Sequence, residues 1–142
     1  MPDLKLERDF PVTPERFFEV VSTQSGLLMW WGPEGMHVPE HDLDFSREGP
    51  WFSVMENGEG QQYKVSGQVT HVKPLQSVGF TWAWHDDQDK RGPESHVTFT
   101  VSATDAGARL TIDHRDLADA DAAKGHEQGW SSSLNKLEKA IS

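Results

Sequence analysis

Residues 119–141 read DADAAKGHEQGWSSSLNKLEKAI. At 100° per residue, Ala123, His126, Glu127, Trp130, Leu134, Leu137 and Ile141 fall in one stripe, with Lys124, Gln128, Ser131 and Asn135 opposite. The pattern predicts a long amphipathic helix from about Asp119 to Ile141, its one large buried residue being Trp130. At 1.5 Å per residue such a helix is about 33 Å long, enough to cross a small domain. On one side of the stripe lie only small residues, Ala122, Gly129, Ser133 and Ala140. Gly125 and Gly129 each destabilise a helix by roughly 1 kcal/mol relative to alanine, so something must offset them. Close packing of the helix backbone on a sheet is one offset, and space kept for a ligand beside Trp130 is the other.

Working back from that helix, the chain alternates with period two. Val78, Phe80, Trp82 and Trp84 give the cleanest inward series, with small Gly79, Thr81 and Ala83 between them. Val97, Phe99, Val101 and Ala103 form the next strand, and Leu110, Ile112 and His114 the last, across a turn at Asp105-Ala106-Gly107. Upstream, Trp51, Ser53 and Met55 pair through the Asn57-Gly58 hairpin signal with Tyr63, Val65, Gly67 and Val69. Val72 is out of phase, which predicts a bulge near His71. Met36 and Val38 read as a short strand, resumed by Leu43 and Phe45 after Pro39-Glu40-His41. Leu4, Leu6 and Phe10 make the first strand. Thr13-Pro14 then caps a helix to about Val21, and a second short helix runs from about Gln24 to Met29. Trp30 and Trp31 are adjacent, so one is expected to anchor and the other to face a cleft or solvent.

The reading is α+β: one strand, two short helices, six antiparallel strands and a long helix covering the apolar face of the sheet. Residues 1–142 form a single domain without internal repeat, and that length buries a core without disulfides. There are no cysteines, which removes thiolate metal sites and cysteine nucleophiles and fits a reducing cytoplasm. The charged start MPDLKLERDF has no signal-length apolar segment, so a soluble cytoplasmic protein is expected. A net charge of −10 argues against nucleic acid and anionic membrane surfaces as partners. Six tryptophans against one tyrosine point either to an indole-rich core or to an apolar cavity.

Three separated motifs carry a resemblance: Trp30-Trp31-Gly32-Pro33-Glu34-Gly35, the strand ending Phe80-Thr81-Trp82, and Gly125-His126 with Gly129-Trp130 and Leu134. Together they resemble the bacterial domains related to the activator of heat-shock protein 90 ATPase, in the START and birch-pollen-allergen-like (SRPBCC) superfamily. The resemblance implies a helix-grip fold, a curved sheet of about seven antiparallel strands around the C-terminal helix with a hydrophobic cavity between. It is no guide to activity, because superfamily members carry lipids, bind hormones or cyclise polyketides. The eukaryotic co-chaperone also has a separate N-terminal domain for which this chain has no room, so its chaperone-activating role is not carried over.

The candidate ligand-binding residues are Trp30, Trp31, Trp51, Ser53, Met55, Tyr63, Val65, Trp82, Trp84, Phe99, His114, His126, Gly129, Trp130 and Ser133. Most are apolar, and Ser53 is expected to enlarge and wet the wall in a slot where the resembled family more often has an aromatic residue. Solid packing of Trp82, Trp84 and Trp130 without a void would remove the site. No cofactor or metal is expected, since His37 and His41 flank Pro39 in a strand, and Asp86, Asp87 and Asp89 lack the other residues of a calcium loop. His114 and His126 should sit at the sheet–helix junction, as a structural polar pair or as general acid–base groups, with Glu127 within reach of Arg109, Arg115 or a histidine. Three functions follow: a binder of a small hydrophobic or aromatic molecule; an enzyme of cyclase, dehydratase or hydrolase type using His114, His126 or Tyr63; and an interaction module, such as a homodimer through an exposed Trp31.

Overall fold

The computed structural model describes residues 3–141. Its elements are β1 (Leu4–Phe10), α1 (Pro14–Ser22), α2 (Gln24–Leu27), β2 (His37–Asp42), β3 (Gly49–Glu56), β4 (Gln62–Lys73), β5 (Ser77–Trp84), β6 (Ser95–Thr104), β7 (Gly107–Arg115) and α3 (Ala120–Ile141). All seven strands join one antiparallel sheet in the order β1-β7-β6-β5-β4-β3-β2. Strands β2 to β7 thus follow one another as neighbours, and β1 closes the order beside β7. This is the helix-grip arrangement.

Local chemistry sets the element ends. The Thr13 hydroxyl accepts from Arg16 N–H at 3.3 Å with Pro14 in the first turn, so α1 starts where the sequence places it. The Asp119 carboxylate accepts from Ala122 N–H at 2.8 Å and does the same for α3. The bulge lies where Val72 falls out of phase: Val69 pairs with Phe80 and His71 with Gly79, two residues on β4 opposite one on β5. At Gly67 a Cβ would collide with the Thr81 carbonyl, so the glycine is required by the close approach of β4 and β5.

Three expectations need correction. Strand β2 extends across Pro39 to Asp42, with a register shift on β3 between His37 and Glu40, and the proline is tolerated because β2 is the sheet's edge; Leu43 and Phe45 lie beyond it, fully buried. Helix α2 stops at Leu27, earlier than Met29, and the amides of Trp30 and Trp31 both bond to the Leu27 carbonyl. That tight turn sends both indoles inward, at 0% and 2% exposure: Trp30 anchors in the core and Trp31 faces a cleft beside α3, as expected of the pair. On α3 the buried residues are Trp130, Ser133, Leu134 and Leu137, whereas Glu127 is exposed. Arg109 pairs with Asp9 at 2.7 Å and Arg115 approaches Asp113, leaving Glu127 no role with either.

Candidate functional site

Strand β5 carries Trp82 and Trp84 toward α3, and α3 presents Trp130 to them. The ring centroids of Trp82 lie 5.4 Å from Trp84 and 5.3 Å from Trp130, so these rings touch. Yet the region is not solid. A cavity of about 310 Å³ remains, lined by Trp31, Gly32, Pro33, Met55, Trp82, Trp84, Ala122, Gly125, His126, Gly129, Trp130 and Ser133.

The void exists because the helix lacks bulk on that flank. A Cβ built on Gly125 meets nothing within 4 Å, and one on Gly129 meets only Pro33 Cγ at 4.0 Å. Close backbone packing therefore does not offset the helix-weakening effect of these two glycines, in contrast to Gly67. The opposite rim is the segment Trp31-Gly32-Pro33-Glu34, laced to α3. Lys136 Nζ donates to the carbonyls of Trp31 and Gly32 at 2.9 and 3.1 Å, and Glu34 N–H donates to Ser132 Oγ at 2.8 Å. The Glu34 carboxylate accepts from Asn135 and Lys139, which hold it below the usual carboxylate range. Gly32 takes a φ of +82°, open to glycine at little strain, and this turns the chain into Pro33 at the cavity wall.

Two of the indole N–H groups around the cavity are paired with histidines. Trp84 Nε1 donates to His126 Nε2 at 3.0 Å, and His126 Nδ1 bonds the Ala122 carbonyl at 2.7 Å. Trp130 Nε1 donates to His114 Nδ1 at 3.1 Å, and His114 Nε2 bonds Ser95 Oγ at 2.7 Å. Each imidazole thus accepts on one nitrogen and donates from the other, which fixes two neutral tautomers whose ring centroids are 4.7 Å apart. Burial pushes His114 from 6.5 down to about 3, with His126 and His96 adding to the shift; burial also lowers His126, opposed by its bond to Ala122.

With its folded value depressed, His114 stays neutral in the native state while the unfolded chain takes up a proton below 6.5. Stability therefore falls as the pH drops from 6.5 toward 3, by about 1.4 kcal/mol per unit, or about 2 kcal/mol at pH 5. His114→Gln keeps an acceptor and a donor but does not titrate. Urea unfolding at pH 7 and pH 5 should show the variant losing less stability than the wild type by about that amount. An equal loss in both would assign the acid sensitivity elsewhere.

The structure brings Trp31, Met55, Trp82, Trp84, His126, Gly129, Trp130 and Ser133 to the cavity. It places the remaining candidates elsewhere. Trp30, Trp51, Val65 and Phe99 are buried in the core, where Trp30 Nε1 donates to the Val20 carbonyl and Trp51 Nε1 to the Thr81 carbonyl. Ser53 is fully buried and accepts from Trp31 Nε1 at 2.9 Å, so its hydroxyl serves an indole and does not wet a wall. His114 stands behind Trp130, and Tyr63 is 37% exposed near the start of β4. Sequence reasoning missed Gly32 and Pro33 as lining residues, although the Trp-Trp-Gly-Pro motif contains them. It also missed a second array: Ser66 Oγ lies 2.7 Å from His85 Nε2, and His85 Nδ1 lies 2.8 Å from Asp89 Oδ1. That spacing is triad-like, but none of the three lines the cavity, and Arg91 Nε occupies Ser66 Oγ at 3.0 Å. The array holds the 85–94 hairpin tip to β4.

Comparison with known proteins supplies the family. The family described as Activator of Hsp90 ATPase homolog 1-like protein matches residues 11–142. The chain belongs to that family. A crystal structure of the AHSA1 protein from Silicibacter pomeroyi is 65% identical, covers 97% of this chain and 96% of its own, and superposes with a TM-score of 0.94. Proteins from Chromobacterium violaceum (TM-score 0.86, covering 99% of this chain and 98% of that one) and Mycobacterium smegmatis (0.82, covering 99% and 90%) share the fold at 22% identity. Among curated proteins, none matches the chain. Among the described residues, no helix of this AHSA1-like chain is long and apolar enough to cross a membrane.

Proposed function

We propose that this AHSA1-like protein binds a small, largely apolar aromatic molecule in the cavity between β5 and α3. The observation that carries the reading is the pairing of an indole wall with two helix glycines that no packing requires. A helix optimised for stability alone would carry alanine or larger at Gly125 and Gly129. The lining is apolar and aromatic, and its volume of about 310 Å³ matches the lower end of the range for small-molecule pockets, roughly 300–1,000 Å³.

Catalysis by His114, His126 or Tyr63 has less support. All four imidazole nitrogens already hold partners, which leaves no lone pair for a substrate proton, and Tyr63 does not line the cavity. An interface built on Trp31 has no support, because that indole is 2% exposed. The test is titration with N-phenyl-1-naphthylamine, an uncharged probe that brightens in apolar surroundings. A saturable rise at one probe per chain, with matching quench of tryptophan emission, is expected. A linear, unsaturable response would count against the reading.

A further inference from the structure

The exposure of its lining shows where the cavity meets solvent. Of the lining residues only Trp84 and Gly125 are exposed, one the last residue of β5 and the other in the second turn of α3. The mouth is therefore bounded by the end of β5 and the start of α3, and one hydrogen bond joins the two, from Trp84 Nε1 to His126 Nε2 at 3.0 Å. The Trp84 ring otherwise meets Trp82 edge-on, with centroids 5.4 Å apart and planes at 87°. Trp31, Trp82 and Trp130 are buried, whereas Trp84 is 36% exposed, so it can swing outward without emptying the core.

Resting on the binding role argued above, we propose that Trp84 is the gate of the cavity and His126 its latch, one proton on the imidazole freeing the indole and speeding the loss of a bound molecule. The ring has a single place for that proton. Its Nδ1–H donates to the Ala122 carbonyl at 2.7 Å, so only Nε2 can take it up, and Nε2 is the atom that accepts the Trp84 N–H. Protonation thus sets a second donor against the indole N–H, and latching and protonation exclude each other. The surroundings decide when this happens. His114 of β7 faces the ring with centroids 4.7 Å apart, β5 brings only the indoles of Trp82 and Trp84, and on α3 the nearby Lys124 and Glu127 are exposed. Among the described residues the carboxylates that pair with a histidine pair with His37, His85 and His96, and none with His126. Burial lowers His126 from 6.5, opposed by its bond to Ala122, so the latch is closed at neutral pH and opens in acid. An apolar molecule in the cavity displaces water from beside the ring and favours its neutral form further, so loading and latching support each other.

Stopped-flow release of N-phenyl-1-naphthylamine on dilution, from about pH 7.5 down to about pH 4.5, tests this, with circular dichroism confirming a native fold at each point. In the wild type the release rate should rise about tenfold toward the acid end, the effect of losing one hydrogen bond at the mouth. His126→Gln offers Trp84 an amide oxygen that does not titrate, so its release rate should stay flat. His114 and the other histidines remain in both proteins, so their titration cancels in the comparison. Trp84→Phe keeps a ring at the mouth but has no N–H to latch, and it should release the probe fast already at neutral pH with no further rise in acid. A wild-type rate that ignores pH, an equal rise in His126→Gln, or slow release from Trp84→Phe at neutral pH overturns the proposal. Should His126→Gln not fold, Trp84→Phe decides alone. Absence of saturable binding by the wild type at neutral pH would instead remove the binding role on which this inference rests.

Discussion

Trp31→Ala should lower the unfolding free energy by about 3–5 kcal/mol, a large share of the roughly 5–15 kcal/mol that holds a domain of this kind together. The side chain is 2% exposed and stands at the junction of the core and the cavity. Its ring centroid lies 5.7 Å from Phe45 and Trp51, 5.8 Å from Trp82 and 6.0 Å from Trp130, so truncation strips contacts from four aromatic neighbours at once. It also leaves the buried Ser53 hydroxyl without its indole donor. Trp31→Phe retains most of the packing and loses only that bond, so it should fall well short of the alanine variant. Urea unfolding followed by far-UV circular dichroism measures both. A loss below about 1 kcal/mol for Trp31→Ala would mean that the indole is at the surface, as a protein-interaction role would require.

The second large effect has the opposite sign. Gly125→Ala combined with Gly129→Ala should raise stability by about 2 kcal/mol, because each glycine in a helix interior is worse than alanine by about 1 kcal/mol. For a chain of this size that corresponds to a rise in Tm of about 4–8 °C. The geometry permits both methyls: nothing lies within 4 Å of the first, and the second makes an ordinary contact with Pro33 Cγ at 4.0 Å. The same methyls enter the cavity, so probe affinity should fall as stability rises. Thermal unfolding with and without N-phenyl-1-naphthylamine reads both changes. A drop in stability would show that these glycines serve close packing after all, as Gly67 does.

The parts of this fold that follow a period were legible in the sequence. The stripe ending at Leu134, Leu137 and Ile141 and the alternation of Val78, Phe80 and Trp82 each report a face directly, because helix and strand geometry repeat along the chain. The position of the cavity was legible for a different reason: glycine in a helix is unfavourable enough to need an explanation, and Gly125 and Gly129 share the face beside Trp130. What could not be read is where non-periodic side chains end up. Trp30 and Trp31 follow a tight turn whose direction depends on the Leu27 carbonyl accepting twice, and no spacing rule sends both indoles inward. Ser53 alternates correctly to the inner face, but only the approach of Trp31 from another element turns it into a hydrogen-bond acceptor. Trp51, Val65 and Phe99 share that face and are covered by the core, so strand alternation alone assigned too much of the sheet to the cavity wall. Gly32 and Pro33 reach the wall from a loop held by Lys136 and Ser132, contacts about a hundred residues apart in sequence.

The central claim is that α3 gives up bulk beside Trp130 to keep a binding cavity open. The most direct test is titration of N-phenyl-1-naphthylamine into the wild type and Gly129→Leu side by side, with unfolding curves confirming that both are native. Saturable one-to-one binding in the wild type and none in Gly129→Leu is the result the geometry requires. Equal binding by the two proteins would place the probe elsewhere and contradict the claim.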